Sequence, residues 1–293
     1  MDQAAQLRNI IKGNAKPEHL SRVITVTSGK GGVGKSSFAV NLALHLQRMG
    51  KKVVVLDADF GLANIEIMLG TRPSANLADL MYGGKTLKDI LTEGPEGVGF
   101  ISAGSGIKEL ANLKREQIFY VLHSLVELDD LADVIIIDTG AGITDSVLDF
   151  VVFSQEVLLI VTPEPTSITD AYALLKTLHS RQEFETSQTR IKLVANRVKN
   201  EQEGKEIFDK VSIVAEKFLN VPLQYLGCIP EDQEVSKAII KQVPLLQCNP
   251  SSVAALSMIR LANQLEDLPM NQVQEVKGIK KIFTNLLHAK LKK

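Results

Sequence analysis

One eight-residue segment constrains this chain more than any other, because its pattern requires a strand before it and a helix after it. Residues 29–36 read Gly-Lys-Gly-Gly-Val-Gly-Lys-Ser, which fits the phosphate-binding pattern G-x-x-x-x-G-K-[ST]. In such a loop, backbone N–H groups and the start of the following helix surround the phosphate oxygens, and the second lysine reaches the β- and γ-phosphates. The segment also contains Lys30, which the pattern does not require.

The residues on both sides supply that strand and that helix. Residues 22–27 are short and β-branched, as in a buried strand. After the loop, apolar residues recur at helical spacing until Gly50, which lies where a helix would end. A glycine-rich turn without a ligand is the alternative, but the flanks favour a nucleotide site. The predicted contacts to the phosphates are Gly29, Lys30, Gly31, Gly32, Val33, Gly34, Lys35, Ser36 and Ser37.

Strand and helix patterns alternate along the chain, and several strands are continuously apolar, which is typical of strands covered on both faces. The predicted strands are 22–27, 52–57, 98–102, 133–138, 156–161, 190–196 and 225–229. The predicted helices are 35–49, 114–129, 143–152, 167–185, 201–218, 232–242 and 250–265. We therefore predict an α/β fold with a doubly wound, mostly parallel sheet flanked by helices, and a ligand at the carboxyl ends of the strands.

The composition excludes several classes of protein. Of the 293 residues, 45% are hydrophobic and 23% are charged, and the formal net charge is −1, which is typical of a soluble globular protein and argues against a broad nucleic-acid surface. Cys228 and Cys248 are too few for a metal cluster or a disulfide framework, so we expect buried free thiols in a reducing cytosol. Neither a signal peptide nor a membrane span is evident, which predicts a cytoplasmic protein. The near-neutral charge predicts that nucleic acid is not a partner.

Aspartates at or just beyond the ends of two predicted strands are candidates for chemistry. Asp57 and Asp138 each end an apolar strand, near the phosphate-binding loop in the predicted fold. Together with the Ser36 hydroxyl they are candidate Mg²⁺ ligands. Asp59 follows shortly after the first of these strands and could orient or deprotonate the water that attacks the γ-phosphate. Helix or turn capping is the alternative for these aspartates.

The additional lysine is a feature that this chain shares with a known family. The loop with its leading lysine resembles the deviant Walker A motif of the MinD/ParA class of ATPases, and four further segments of that class follow in the same order. These segments are Asp57-Ala58-Asp59-Phe60-Gly61, Asp138-Thr139-Gly140-Ala141-Gly142, Thr162-Pro163-Glu164-Pro165-Thr166-Ser167 and Ile229-Pro230-Glu231-Asp232. The resemblance spans about residues 22–265 and implies a MinD-like P-loop fold in a single domain.

The resemblance also implies a mechanism. Two subunits would dimerise face to face around two ATP molecules, with Mg²⁺ as the metal. Lys30 of one subunit would cross to the phosphates of the other, as an arginine finger does, and would form the catalytic set with Lys35 and Asp59. Hydrolysis would then be slow until ATP joins two subunits. The implied contacts on the adenine side are Asn196, Arg197, Pro230, Glu231 and Asp232.

Residues 278–293 have the pattern of a basic amphipathic helix, with an apolar stripe on one face and lysines beside it. Such a helix binds the interface of a membrane with anionic lipids, which predicts peripheral association with the inner face of the cell membrane. Docking of the helix on the domain itself is the alternative, and the two states could alternate. The stripe consists of Ile279, Ile282, Phe283, Leu286, Leu287 and Leu291.

The first residues resemble a narrower group within the same class. Asp2-Gln3-Ala4-Ala5-Gln6-Leu7-Arg8 is similar to the activator motif of the FlhG (YlxH) family, MinD-like regulators of flagellar number and placement. The resemblance implies that Asp2, Gln3, Leu7 and Arg8 contact the GTPase FlhF and stimulate it, and that flagellar basal-body switch components are further partners. A disordered or self-docked tail is the alternative for so short a chain end.

The sequence thus predicts a partner-activating extension over 1–20, an ATPase domain over 21–265, a linker over 266–277 and a membrane-targeting amphipathic helix over 278–293, so that helical extensions flank a single domain. The predicted function is an ATP-dependent dimerising switch in flagellar assembly. A cell-division MinD or a ParA-type partition ATPase is an alternative, which the N-terminal motif disfavours. A metabolic enzyme on the same fold is a third; for a nitrogenase-type reductase the two cysteines lie in the wrong place.

Overall fold

An eight-stranded sheet forms the centre of the fold. The computed structural model of the chain describes residues 21–60, 64–104, 115–184, 186 and 189–267. The strands are β1 (Arg22–Thr27), β2 (Val53–Ala58), β3 (Thr92–Glu93), β4 (Gly99–Ile101), β5 (Val134–Thr139), β6 (Glu156–Val161), β7 (Arg190–Val198) and β8 (Leu223–Pro230). Their order across the sheet is β3-β4-β2-β5-β1-β6-β7-β8. Among these strands, β3 pairs antiparallel with β4 and the other neighbours pair in parallel, which confirms the predicted α/β class.

Helices connect the strands and cover both faces of the sheet. They are α1 (Lys35–Arg48), α2 (Ile65–Leu69), α3 (Leu77–Tyr82), α4 (Leu87–Ile90), α5 (Arg115–Ser124), α6 (Asp145–Phe153), α7 (Pro165–His179), α8 (Glu201–Leu219), α9 (Gln233–Lys241), α10 (Leu245–Cys248) and α11 (Val253–Asp267). Short 3₁₀ segments cover Pro95–Gly97 and Leu125–Asp130. In the described part of the chain, no helix is both long and apolar enough to cross a bilayer.

Alternate residues of the central strands face opposite helical layers, because successive side chains of a strand point to opposite sides. In β2, Val53 and Val55 pack into a core with α1 and α11, whereas Val54 and Leu56 pack into a second core with α3, α4 and α5. β1 lies between β5 and β6 near the middle of the sheet. Its carboxyl end is therefore where a doubly wound sheet places its ligand.

A buried group of charges, here called the basal ion cluster, lies at the amino ends of the central strands, opposite the carboxyl end of β1. It consists of Arg22, Glu156, Lys192 and Glu266. The Arg22 guanidinium donates to both glutamates and, at 3.0 Å, to the carbonyl oxygen of Leu265. The Lys192 ammonium, 2% exposed as a side chain, lies 2.5 Å from Glu156. The cluster joins the first residue of β1 to the last turn of α11.

The chain enters the domain beside this cluster. Ser21 is fully buried; its backbone N–H donates to Asp129 at 3.0 Å and its hydroxyl donates to the carbonyl oxygen of Ala132 at 2.6 Å. Both ends of the described domain therefore lie near the amino end of β1, away from its carboxyl end. The predicted extensions 1–20 and 278–293, with their candidate contact residues, lie outside the described residues.

The structure departs from the sequence prediction mainly between the second and fourth strands, where the sequence does not predict α2, α3, α4 or β3. The predicted helix 114–129 is divided, because α5 ends at Ser124 and a 3₁₀ segment follows. The expectation of buried thiols is half right. Cys228 is buried, but Cys248 ends the short helix α10 and is exposed.

Candidate nucleotide-binding site

The phosphate-binding loop joins β1 to α1 and is shaped by its glycines. Gly32 and Gly34 have φ angles of 74° and 98°, in the left-handed region that glycine adopts without strain. A Cβ atom on Gly29 would lie 2.1 Å from the carbonyl oxygen of Asp170 in α7, so this contact requires glycine. Gly31 and Gly32 are exposed, which leaves the middle of the loop accessible to a ligand.

Lys35 begins α1 and is buried beside two acids at the carboxyl edge of the sheet. Only 8% of the surface of Lys35 is exposed to solvent. Burial lowers the pKa of Lys35, while the carboxylates of Asp138 and Asp59 act in the opposite direction. The structure thus brings together three charged residues that lie far apart in the sequence, as predicted for a site at the ends of β1, β2 and β5.

Asp138 is the residue that best fits a metal ion. It is fully buried, and neither of its carboxylate oxygens accepts a hydrogen bond from a described residue. Burial raises the pKa of Asp138 to about 7; the nearby Ser36 hydroxyl and Lys35 act against this, although the hydroxyl is outside hydrogen-bond geometry. A buried carboxylate that accepts no hydrogen bond can instead be stabilised by a bound cation. The carboxylate and a hydroxyl are oxygen ligands, which Mg²⁺ prefers. Asp138 and Ser36 therefore fit the predicted metal.

Asp57 has a different environment from Asp138. One of its oxygens accepts the backbone N–H of Asp59 at 3.1 Å, and the other accepts those of Asn64 at 2.9 Å and Ile65 at 3.2 Å. Burial and the neighbouring Asp138 raise the pKa of Asp57 well above its usual value, and these bonds counteract them in part. The bonds favour the capping alternative over the predicted role of Asp57 as a Mg²⁺ ligand.

Asp59 is half-buried and borders the segment that follows β5. A Cβ atom built on Gly140 would lie 3.6 Å from one carboxylate oxygen of Asp59. Its carboxylate also influences the pKa values of Lys35 and Asp138. Asp59 therefore lies at the same edge as the loop lysine and the candidate metal ligand, where a catalytic carboxylate is predicted.

Lys30 lies at the surface of the loop rather than beside Lys35. Its ammonium contacts the carboxylate of Glu164 and the hydroxyl of Thr166, the latter at 2.8 Å. Both partners belong to the same chain, at the start of α7. The side chains of Lys30 and Glu164 are 32% and 53% exposed, so this pair faces solvent.

On the adenine side, Asn196 contacts the phosphate-binding loop itself. Its side-chain N–H donates to the carbonyl oxygen of Val33 at 2.7 Å, and its side-chain oxygen accepts the N–H of Arg197 at 2.9 Å. Arg197 has a φ of 57° at an irregularity in the pairing of β7 with β8. Such strain is common at binding sites. The contact with adenine predicted for both residues stays a prediction.

The other adenine-side candidates close the end of β8. Asp232 caps α9 by accepting the N–H of Glu234 at 2.9 Å, and also accepts that of Ala254 in α11 at 3.1 Å. The N–H of Glu231 donates to Val198 at 2.9 Å. Pro230 is half-buried at the end of the strand. These bonds fix the segment beside the end of β7, where the base is predicted to bind.

Two hydroxyl residues that the sequence reasoning missed support the loop. The Ser28 hydroxyl donates to the carbonyl oxygen of Lys30 at 2.7 Å, and the Ser28 carbonyl oxygen accepts the N–H of Gly142 at 3.0 Å. The Thr139 hydroxyl donates to that of Thr27 at 3.0 Å. In the sequence, Ser28 and Thr139 are recognisable only as hydroxyl residues that directly follow two predicted parallel strands.

Comparison with known proteins agrees with this geometry. A family model described as ParA, NUBPL iron-transfer P-loop NTPase, matches residues 19–266. The antiactivator FleN of Pseudomonas aeruginosa is 44% identical over 252 residues, which are 86% of this chain and 89% of FleN. The flagellum site-determining protein YlxH of Helicobacter pylori is 31% identical over 303 residues, with 98% of each chain covered.

A solved structure shows the same fold with a bound nucleotide. The septum site-determining protein MinD of Pyrococcus horikoshii, in complex with Mg-ADP, is 25% identical, with a TM-score of 0.68 over 85% of this chain and 97% of MinD. The family model covers the ordered set of motifs described above, from the phosphate-binding loop to the end of β8. The chain therefore belongs to the MinD/ParA family of P-loop ATPases.

Proposed function

We propose that this protein is an ATP-dependent dimerising switch that regulates flagellar number and placement and hydrolyses ATP slowly with Mg²⁺. The observation that carries the proposal is the position of Lys30. Its ammonium lies on the exposed side of the loop, with Glu164 and Thr166, whereas Lys35 is the buried cation of the site. A cation in this position suits the phosphates of a second subunit better than those of its own.

Within one subunit, the loop and Lys35 would bind the phosphates, and Ser36 and Asp138 would hold Mg²⁺. The ion would neutralise charge that develops on the phosphate oxygens. Asp59 would orient the attacking water and accept its proton, while Asp57 fixes the backbone around it. Asn196 would connect the base to the loop through Val33. Without Lys30 from a partner, the transition-state charge is incompletely balanced, which predicts slow hydrolysis by the monomer.

Mixing two inactive variants tests whether Lys30 acts across the interface. Lys30→Ala lacks the cation and Asp59→Ala lacks the carboxylate, so each chain alone should hydrolyse ATP very slowly. A mixed dimer contains one site with Asp59 from one chain and Lys30 from the other. At a one-to-one ratio, symmetric random pairing predicts recovery of about one quarter of the wild-type rate.

The control is the double variant Lys30→Ala/Asp59→Ala mixed with the Asp59→Ala chain, which contains no complete site and should stay inactive. Hydrolysis that does not recover in the first mixture would exclude action across the interface. If Asp59→Ala elutes from a sizing column as a monomer both with and without ATP, the dimer itself would be excluded.

The flagellar part of the proposal is supported by the relatives, one named an antiactivator and one a flagellum site-determining protein, and by the N-terminal motif. A peptide of residues 1–20 should raise the GTPase rate of FlhF, and the same peptide with Gln3→Ala should raise it less. An unchanged GTPase rate would remove the main support for this partner.

The membrane part is supported by the apolar stripe of residues 278–293. The full chain should pellet with vesicles containing anionic lipids in the presence of ATP, and more weakly with ADP, because two helices on a dimer bind better than one. Phe283→Glu should abolish this difference. Equal pelleting of a chain without residues 278–293 would assign membrane binding to another part of the protein.

A further inference from the structure

We infer that Glu164 and Thr166 form a latch that retains Lys30 within its own subunit and so sets the subunit concentration at which ATP produces a dimer. The term Lys30 latch is used for Lys30, Glu164 and Thr166. The inference rests on the proposed function, in which Lys30 acts on the partner's nucleotide. It adds that the residues opposing this movement belong to the same chain.

The acceptors of the latch are held in fixed positions. Glu164 is the residue before α7, and its carbonyl oxygen accepts the N–H of Ile168 at 3.2 Å. Thr166 follows in the first turn, and the Ser167 hydroxyl accepts the N–H of Thr162 at 3.0 Å. The start of α7 is therefore tied to the end of β6, and the two acceptors do not need to move when Lys30 binds them.

The same helix also packs directly on the phosphate-binding loop. Gly29 lies so close to Asp170 of α7 that a Cβ atom would be 2.1 Å from the Asp170 carbonyl oxygen. The loop and the latch acceptors thus belong to one packed contact, in which Lys30 follows Gly29 directly. A change in the conformation of the loop on nucleotide binding would therefore also move Lys30.

The charges of the latch allow it to open. Lys30 is the largest influence that lowers the pKa of Glu164, and Arg197 acts in the same direction. When Lys30 leaves, Glu164 therefore still has a cation nearby. Both latch side chains are partly exposed, and exposed ion pairs are weak. The latch opposes dimer formation without preventing it.

Two latches open for each dimer, because a symmetric dimer uses both lysines. From the usual strength of an exposed pair, Glu164→Gln should lower the dimer dissociation constant roughly 3- to 30-fold. Thr166→Val removes a hydrogen bond without changing the charge, and should lower the constant by a smaller factor.

Sedimentation velocity of the full chain with Mg-ATP, over a range of protein concentrations, measures this constant. All chains carry Asp59→Ala so that ATP persists. Asp170→Asn is the matched control: it removes one negative charge from the same helix, at a residue without a hydrogen bond or ion pair to Lys30 among those described, and should leave the constant unchanged.

A second measurement examines the latch in the absence of nucleotide. The rate at which an N-hydroxysuccinimide ester acylates Lys30, followed by peptide mass spectrometry, should rise in Glu164→Gln relative to the exposed Lys52 in the same chain. It should not rise in Asp170→Asn.

A dissociation constant that is unchanged or raised in Glu164→Gln, or an unchanged acylation rate, would overturn the latch while leaving the dimer intact. An Asp59→Ala chain that stays monomeric with ATP at every concentration would overturn the proposed function and the latch together. The two failures are therefore distinguishable.

Discussion

At the scale of single residues, the candidate site concentrates groups that are unfavourable in the protein without a ligand. Asp138 is buried, and neither of its oxygens has a hydrogen-bond partner among the described residues. Lys35 is buried with its pKa lowered by desolvation, and Arg197 has a left-handed backbone conformation. Such costs persist where a ligand compensates for them. The site is therefore expected to lower the stability of the nucleotide-free protein.

Asp138→Asn should increase stability and weaken metal-dependent binding at the same time. At pH 8, above the raised pKa of about 7, the wild-type carboxylate is mostly ionised and unpaired. Removing its charge should raise the free energy of unfolding of the nucleotide-free chain by about 1–3 kcal/mol. Affinity for ATP with Mg²⁺ should fall roughly tenfold or more, with little change in EDTA.

Urea denaturation and titration with a fluorescent ATP analogue measure the two effects of this variant. A less stable Asp138→Asn chain, or an unchanged effect of Mg²⁺ on ATP affinity, would show that Asp138 is not the metal-binding carboxylate.

Gly34→Ala and Gly50→Ala form a matched pair at the two ends of α1. Both glycines have positive φ angles, 98° and 86°, so alanine should cost about 1 kcal/mol of stability at each position. At Gly34, a Cβ atom would also lie 2.4 Å from the side-chain nitrogen of Asn196, whereas at Gly50 it would meet no other described residue within 4 Å apart from its chain neighbours. ATP affinity should therefore fall roughly tenfold or more in Gly34→Ala alone, because the loop is displaced.

Equilibrium binding of the same ATP analogue, with thermal unfolding as the measure of stability, distinguishes the two glycine variants. Equal ATP affinity in both would mean that Asn196 moves aside without affecting the loop.

At the scale of elements, the long patterns could be predicted and the short ones could not. β1, α1, β6 and α8 agree with the sequence within a residue or two, because each has a clear apolar period or a continuous apolar run. α3 and α4 are only a few residues long and owe their starts to capping boxes at Asn76 and Thr86. These local signals are weak beside apolar periodicity, and the sequence reasoning missed them.

The site shows the same division between local and distant information. The phosphate-binding loop is a local pattern and could be recognised from its residues alone. The contact of Lys30 with Glu164 joins residues 134 positions apart, and the bond from Asn196 to Val33 spans 163 positions. Such pairs depend on the order of the strands, which one sequence does not determine.

The basal ion cluster should make the packing of α11 against the sheet sensitive to acid. Burial tends to raise the pKa of Glu156, but Arg22 and Lys192 outweigh it and hold the pKa below its usual value. The stability contributed by Glu156 is therefore present above the ordinary glutamate pKa of 4.5 and lost as pH falls through the lowered pKa of Glu156. The free energy of unfolding should decrease as pH falls below that value.

A double-variant comparison isolates this cluster from other acids. Glu156→Gln leaves the buried Lys192 unpaired and should cost about 3–5 kcal/mol at pH 7. Glu156→Gln/Lys192→Met should recover much of that loss and show a smaller decrease in acid. Additive effects of the two substitutions in urea denaturation would contradict a coupled cluster.

At the scale of the whole molecule, the phosphate-binding loop and the two ends of the described domain lie at opposite ends of the strands. The loop follows the carboxyl end of β1, whereas Ser21 and the last turn of α11 meet at its amino end. The first and last residues of the described domain therefore lie at neighbouring points, and the extensions predicted over 1–20 and 278–293 lie outside it.

Chains truncated at these points test the boundaries of the domain. Residues 21–267 should unfold with a free energy within about 1 kcal/mol of the full chain, because both ends of the domain are then retained. Residues 23–267 should lose about 3 kcal/mol or more, since the buried bonds of Ser21 and the ion pairs of Arg22 are absent. Urea denaturation measures both, and equal stability of the two truncated chains would show that the domain begins after Arg22.

The position of β1 has an evolutionary consequence. One strand carries the phosphate-binding loop at its carboxyl end and receives the N-terminal segment at the other, and its six residues extend over roughly 20 Å. The point at which the chain enters the domain is therefore separated from the residues that bind phosphate by the length of this strand. Descendants of one ancestral ATPase could acquire new attachments at this edge and new cellular roles, while selection maintained the same nucleotide chemistry at the other.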